Sequence, residues 1–136
     1  STGLDQLIPA LQQPVLGICL GMQLLCRSTE EGNTNGLSVF RSDVEAFSAD
    51  LIVPHMGWND VFFQEDVKEI FYFVHSFKAT LSEDTIGVCS YGESFSAVLK
   101  RDNFLGVQFH PEKSGEVGEQ FLRNFLNQSS INQWKL

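Results

Sequence analysis

Apolar positions change their period along the chain, and each change predicts an element. Leu4, Leu7, Ile8 and Leu11 recur at the spacing of one helical face, with Ser1 or Thr2 as the N-cap and Pro14 closing the segment. The unbroken apolar run at 15–18 then predicts a buried strand, followed directly by a helix from Leu20 to about Arg27. Residues 28–36, with Asn33, Asn35 and two glycines, read as a loop. Short β-like pieces surround Val39-Phe40 and Leu51-Ile52-Val53, and alternating runs at 60–63, 71–75, 85–90, 96–99 and 105–109 predict strands. Arg101-Asp102-Asn103 turns the chain between the last two of these. Val117, Phe121 and Phe125 stripe a closing helix with Gly115 and Gly118 near its start.

A helix, a buried strand and a helix, then a strand-rich middle and a final helix, predict an α/β sandwich around a mixed sheet. The 136 residues fit one domain, spanning 1–136, with 43% apolar and 19% charged residues. No apolar stretch approaches membrane-spanning length. The formal net charge of -8 and the lack of a basic cluster argue against a nucleic-acid partner. Cys19, Cys26 and Cys89 are an odd count with no Cys-x-x-Cys pair, which fits neither a disulfide framework nor a zinc knuckle and suits a reducing cytoplasm. The sequence holds no signal peptide, repeat or low-complexity tract.

Candidate chemistry lies at two strand ends. Gly17-Ile18-Cys19-Leu20-Gly21 has the layout of a nucleophile elbow: a strand turns sharply into a helix, the reactive residue takes a strained backbone conformation, and small residues two before and two after it avoid clashes. The following helix aims its positive end at Cys19, which favours thiolate over thiol. A buried structural cysteine between two packing glycines is the other reading of the same residues. Phe109-His110-Pro111-Glu112 supplies what an activated cysteine needs, a base and a carboxylate to orient it. Positions i and i+2 of extended backbone point to one side, so Glu112 can reach the His110 ring. Open α/β sheets carry their sites at strand carboxyl ends, where both Cys19 and His110 fall. His55 and His75, set among apolar strand residues, read as structural groups or as ligands. No third ligand of zinc spacing accompanies them, so no metal is expected.

The elbow Gly17-Ile18-Cys19-Leu20-Gly21-Met22-Gln23 with Phe109-His110-Pro111-Glu112 resembles the class I, triad-type glutamine amidotransferases. Pro54-His55-Met56-Gly57-Trp58-Asn59, Tyr72-Phe73-Val74-His75-Ser76-Phe77 and Glu112-Lys113-Ser114-Gly115 resemble one branch of that family, the glutaminase subunits of imidazole glycerol phosphate synthases, and the likeness runs from about Leu4 to Asn127. The resemblance implies a three-layer α/β sandwich with a mostly parallel sheet, and hydrolysis of glutamine to glutamate and ammonia with no cofactor. Cys19 would attack, His110 would carry the proton and Glu112 would hold the imidazole. The resemblance further puts Leu20, Gln23, Glu31, Tyr72, His75 and Ser76 at the glutamine site. The Leu20 amide, as the residue after the nucleophile, could supply one oxyanion donor, Glu31 can pair with the substrate ammonium, and Gln23 or Ser76 can hydrogen-bond its polar ends. Read without the resemblance, Gln23 could cap or solvate its helix and Glu31 could be wet surface. Met56, Trp58 and Asn59 would face a barrel-shaped cyclase that receives the ammonia in a heterodimer, although a Trp and a Met in a glycine-containing turn can also be core.

In that family the opening strands and a glycine-rich loop, which gives the oxyanion hole one backbone N–H, precede the residues that match this sequence. The sequence begins at Ser1 with neither, so these residues alone are expected to be weakly active or inactive, with an apolar edge left open beside the nucleophile strand. Competing readings are another triad amidotransferase, a γ-glutamyl hydrolase, and a non-catalytic module that only binds its partner.

Overall fold

A computed structural model describes residues 3–64 and 66–127, so the N-cap expected at Ser1 or Thr2 lies outside the described residues. Helix α1 (Leu4–Leu7) tightens into a 3-10 turn (Ile8–Ala10) at Pro9, which lacks the N–H needed to continue an α-helical ladder. Leu4 and Leu7 are exposed, while Ile8 packs on the core. The Asn103 side-chain amide donates to the Leu11 and Gln13 carbonyls at 2.7 and 2.8 Å, fastening this segment to a turn near the far end of the chain.

Strand β1 (Val15–Ile18) leads into α2 (Leu20–Leu24). Next come β2 (Ser28–Thr29), β3 (Thr34–Asn35), β4 (Val44–Ala46), β5 (His55–Phe62), β6 (Lys68–His75), β7 (Phe77–Ala79), β8 (Thr85–Tyr91), β9 (Glu93–Arg101) and β10 (Phe104–Val107), with α3 (Gly115–Leu126) last. Among the described residues, ten strands form one mixed sheet in the order β3-β2-β4-β7-β9-β8-β5-β6, and β10 joins β9 to β1.

The mixed α/β sheet is as expected, but the predominance of parallel pairs is not. Among the described residues only β1 with β10 and β2 with β4 run parallel; the other pairs are antiparallel. From β5 to β10 each strand follows the last through a turn of a few residues. Parallel neighbours need a crossover of roughly a dozen residues or more, so β5–β6, β8–β9 and β9–β10 pair as hairpins, while β7 leaves β6 to lie between β4 and β9.

Two apolar clusters flank the sheet, and β10 alternates between them. Phe104 packs with Met22, Leu25, Phe40 and Leu99 under α2. Leu105 and Val107 face Phe71, Phe73, Phe109 and Phe121 under α3, which completes three layers. Helix α2 stops at Leu24 instead of near Arg27 because a passing segment takes its last carbonyls: Leu37 N–H donates to Leu24 O, Phe40 N–H to Leu25 O and Ser38 N–H to Cys26 O. That segment is irregular, so neither Val39-Phe40 nor Leu51-Ile52-Val53 is a strand. The loop expected at 28–36 contains the small hairpin β2–β3, and β5 starts before residue 60 because it pairs with β6 from His55↔His75 to Phe62↔Lys68.

Candidate active site

Cys19 leaves β1 with φ 53° and ψ -107°, a costly conformation for a residue with a Cβ, held by its N–H to Val107 O at 2.7 Å and its carbonyl to the Gln23 N–H at 3.1 Å. The elbow predicted from the sequence is present. Of its flanking glycines, Gly17 is sterically required, since a Cβ there would lie 2.9 Å from the Gly21 backbone and 3.0 Å from the Leu25 side chain. A Cβ at Gly21 would meet open space, so the expectation that both glycines prevent clashes holds for Gly17 alone.

The sulfur is half-buried. It accepts from Gln108 Nε2 at 3.4 Å, and its nearest carbonyl partner is Val74 O at 3.9 Å. Burial pushes the thiol above its ordinary range; the Leu20 amide and Gln108 pull it down, and the Glu112 carboxylate adds to the rise. The thiolate expected from the helix start is therefore not the resting form. Helix α2 has five residues, and desolvation outweighs the amide that it aims at the sulfur.

His110 stands three residues beyond the end of β10. Its N–H donates to Tyr72 O at 2.9 Å, its carbonyl accepts from Ser114 Oγ at 2.6 Å, and the same Oγ accepts from the Tyr72 N–H at 2.9 Å. Buried Ser114 thus clamps the His110 backbone to β6. Glu112 Oε2 lies 3.0 Å from His110 Nδ1, as expected, but it returns through a 3-10 turn (Pro111–Lys113) and not by extended alternation. Because Ile18 stands beside Val107 in parallel register, Cys19 and His110 leave the same end of the sheet.

Cys19, Leu20, Gln23, Glu31, His75, Ser76 and Phe77 line a cavity of about 210 Å³. It shares Leu20, Gln23 and Glu31 with a second cavity of about 220 Å³ beneath Thr34 and Asn35. A larger one, about 410 Å³, lies at the opposite end of β10, among Pro9, Arg101 and Phe104, away from the thiol. Five of the residues assigned to the glutamine site, Leu20, Gln23, Glu31, His75 and Ser76, thus converge on Cys19. Tyr72 does not line this cavity; its backbone holds His110, and its ring meets Trp58 edge-on at 6.0 Å.

Gln23 is buried and neither caps nor solvates its helix: its Nε2 donates to Phe77 O at 3.1 Å and to Gln108 Oε1 at 2.8 Å. Glu31 is exposed at the cavity edge. His75 Nδ1 donates to Phe77 O at 2.8 Å, and its Nε2 lies 2.9 Å from His55 Nδ1. Burial pushes His75 down to about 4, so both rings are neutral at pH 7, with His55 also lowered by desolvation. His75 Nδ1 must then carry the proton, and His55 Nδ1 donates to His75 Nε2.

Met56 and Trp58 project from the exposed face of β5, 61% and 52% accessible, on the same side as Phe62 and Ile70. Asn59, grouped with them in the sequence, faces the other way, as strand alternation requires, and binds His55 Nε2 and Ser90 O at 3.1 and 3.0 Å. Among the described residues no three His, Cys, Asp or Glu side chains converge as metal ligands do, and no helix is long and apolar enough to cross a membrane.

Gln108 and Ser114 did not emerge from the sequence. Gln108 left one signal, a polar side chain inside the apolar run 104–109. Ser114 appeared only within the family-like stretch Glu112-Lys113-Ser114-Gly115, with no role attached to it.

Residues 3–129 match the family described as glutamine amidotransferase class-I. The chain is 50% identical over 135 residues to imidazole glycerol phosphate synthase subunit HisH of Bacteroides fragilis, covering 92% of this chain and 69% of that one. It is 49% identical to the subunit of the same name from Salmonella typhimurium, covering 90% and 68%. A crystal structure of a glutamine amidotransferase superposes with a TM-score of 0.66 at 17% identity, over 91% of this chain and 67% of the other. Another, from Thermotoga maritima, gives 0.57 at 20% identity over 86% and 48%. The fold, with its mixed sheet between helical layers, is theirs. On these matches the chain belongs to the class I glutamine amidotransferases, a family of glutamine-hydrolysing enzymes.

Proposed function

We propose that Cys19, His110 and Glu112 form the catalytic triad of a glutaminase whose ammonia passes to a cyclase subunit. His110 takes the Cys19 thiol proton as sulfur attacks the side-chain amide carbon of glutamine. The C–N bond then breaks, nitrogen leaves with the proton from His110 as ammonia, and a thioester remains. A water that gives its proton to His110 splits the thioester, releasing glutamate and restoring the thiol. Glu112, bonded to His110 Nδ1, stabilises the imidazolium that forms twice per cycle. The Leu20 amide is a donor to the oxyanion, and Glu31 at the cavity edge receives the substrate ammonium. Gln23, His75 and Ser76 shape the pocket from its inner side, and Tyr72 acts from behind, through the backbone of His110.

The observation that carries this reading is the parallel pairing of β1 with β10, which sends the thiol and the base out of one sheet end.

Residues 1–136 belong to a single amidotransferase domain that works in the cytoplasm. The relatives are named as subunits of imidazole glycerol phosphate synthase. The partner is accordingly the cyclase subunit, which makes imidazole glycerol phosphate in histidine biosynthesis. Met56 and Trp58, large apolar side chains exposed on β5, suit the centre of that interface. Ammonia crossing open water would be protonated and lose its nucleophilicity, which favours a dry route between the subunits. The test is a glutaminase assay of the full chain with and without the cyclase subunit. Hydrolysis that rises with the partner and vanishes in Cys19→Ala supports the reading; hydrolysis that persists in Cys19→Ala refutes it.

A further inference from the structure

We propose that Gln108 is a positioning residue for the nucleophile: its side-chain amide, locked in one orientation by Gln23 and the Phe77 carbonyl, aims an N–H at the Cys19 sulfur. The lock follows from hydrogen-bond polarity. Phe77 O is a main-chain acceptor, so the Gln23 atom 3.1 Å from it must be the amino group. That amino group also lies 2.8 Å from the Gln108 side chain, which must therefore present oxygen to it. The amino group of Gln108 is left facing Cys19 Sγ at 3.4 Å. Reversing Gln108 would set two donors against each other at Gln23 and oxygen against the sulfur. His75 reinforces the same anchor, because its Nδ1–H donates to Phe77 O as well.

Register explains why the two side chains meet. Ile18 is paired with Val107, so the next residues, Cys19 and Gln108, emerge side by side as β1 bends into its elbow. Gln108 is wholly inaccessible and interrupts an otherwise apolar run, a costly choice unless its amide is satisfied. A hydrogen bond from a neutral donor strengthens when its acceptor becomes charged. The Gln108 contact therefore favours thiolate over thiol and offsets part of the burial that holds the proton on sulfur. Gln108 touches the sulfur and not the substrate, so it acts through Cys19.

The proposal rests on Cys19 as the nucleophile for its kinetic readout, but the ionisation of the sulfur can be read without glutamine. In the full chain, the pH dependence of iodoacetamide alkylation is followed on the peptide containing Cys19. Cys26 and Cys89, both pushed up to about 12, stay silent in the working range. Gln108→Met keeps length without a donor, and Gln108→Glu replaces the donor with an acceptor. The midpoint should rise by about half a pH unit or more in Gln108→Met and further in Gln108→Glu. With glutamine, kcat should fall roughly tenfold while KM stays within about twofold. An unchanged midpoint in folded Gln108→Met overturns the proposal. A shifted midpoint in a protein that never hydrolyses glutamine upholds it and overturns the glutaminase reading instead. Should neither variant fold, the side-chain amide resonance of Gln108 in the unmodified protein decides: it should titrate with the Cys19 midpoint, and indifference to that ionisation overturns the proposal.

Discussion

His55 Nδ1 stands 2.9 Å from His75 Nε2, and this buried pair links strand β5 to the wall of the thiol cavity. His75 must stay neutral for the pair to survive, since a proton on His75 Nε2 would oppose the one that His55 donates. Nearby His110 adds to the cost of charging His75.

Acid should therefore destabilise the fold through His75. Its folded value of about 4 lies below the ordinary histidine value of 6.5, so between the two the unfolded chain binds more protons. Stability is fully present above pH ~6.5 and is lost as pH falls toward ~4, to the extent of about 3 kcal/mol. Urea unfolding at a series of pH values should show this slope, and His75→Gln should flatten it.

Gly118→Ala should damage the base without touching it. A Cβ at this position would sit 1.9 Å from Pro111 O, so helix α3 or the turn that carries Glu112 must move. We expect a loss of about 2 kcal/mol or more in urea unfolding. Glutaminase kcat should fall as the His110–Glu112 pair is displaced. Unchanged stability would mean that α3 and the turn are not packed as described.

Ser114→Ala should separate the His110 clamp from general packing. Losing one hydroxyl leaves the Tyr72 N–H without its partner and the His110 carbonyl with the Lys113 N–H, a cost of about 1–3 kcal/mol. The expected kinetic mark is a kcat lowered roughly tenfold with KM within about twofold, because the base shifts and the cavity does not. Equal losses in kcat and KM would assign Ser114 to the pocket instead.

The elbow and the His-Pro-Glu turn were legible because each is local: a strand end, a required glycine and residues fixed within a few positions of the reacting atom. Strand β1 and the striped helix α3 were legible for a similar reason, since their apolar periods survive into the fold. What stayed hidden depends on distant segments. The early stop of α2 is set by amides from 37–40, and the length of β5 by its pairing with β6 across Gly57. Asn59 looked like a neighbour of Trp58, yet adjacent residues on a strand face opposite sides. Gln23 and Gln108 lie 85 positions apart, and no local pattern foretells that they meet beneath the sulfur.

The triad itself is tested most directly by a glutamine-like electrophile, an analogue with a diazoketone in place of the amide, followed by mass mapping of the intact full chain with its cyclase partner. One adduct should form on Cys19, be slowed by glutamine, and slow by roughly a hundredfold in His110→Asn. An adduct on Cys26 or Cys89, or labelling of Cys19 at an undiminished rate in His110→Asn, would contradict sulfur and imidazole acting as one unit.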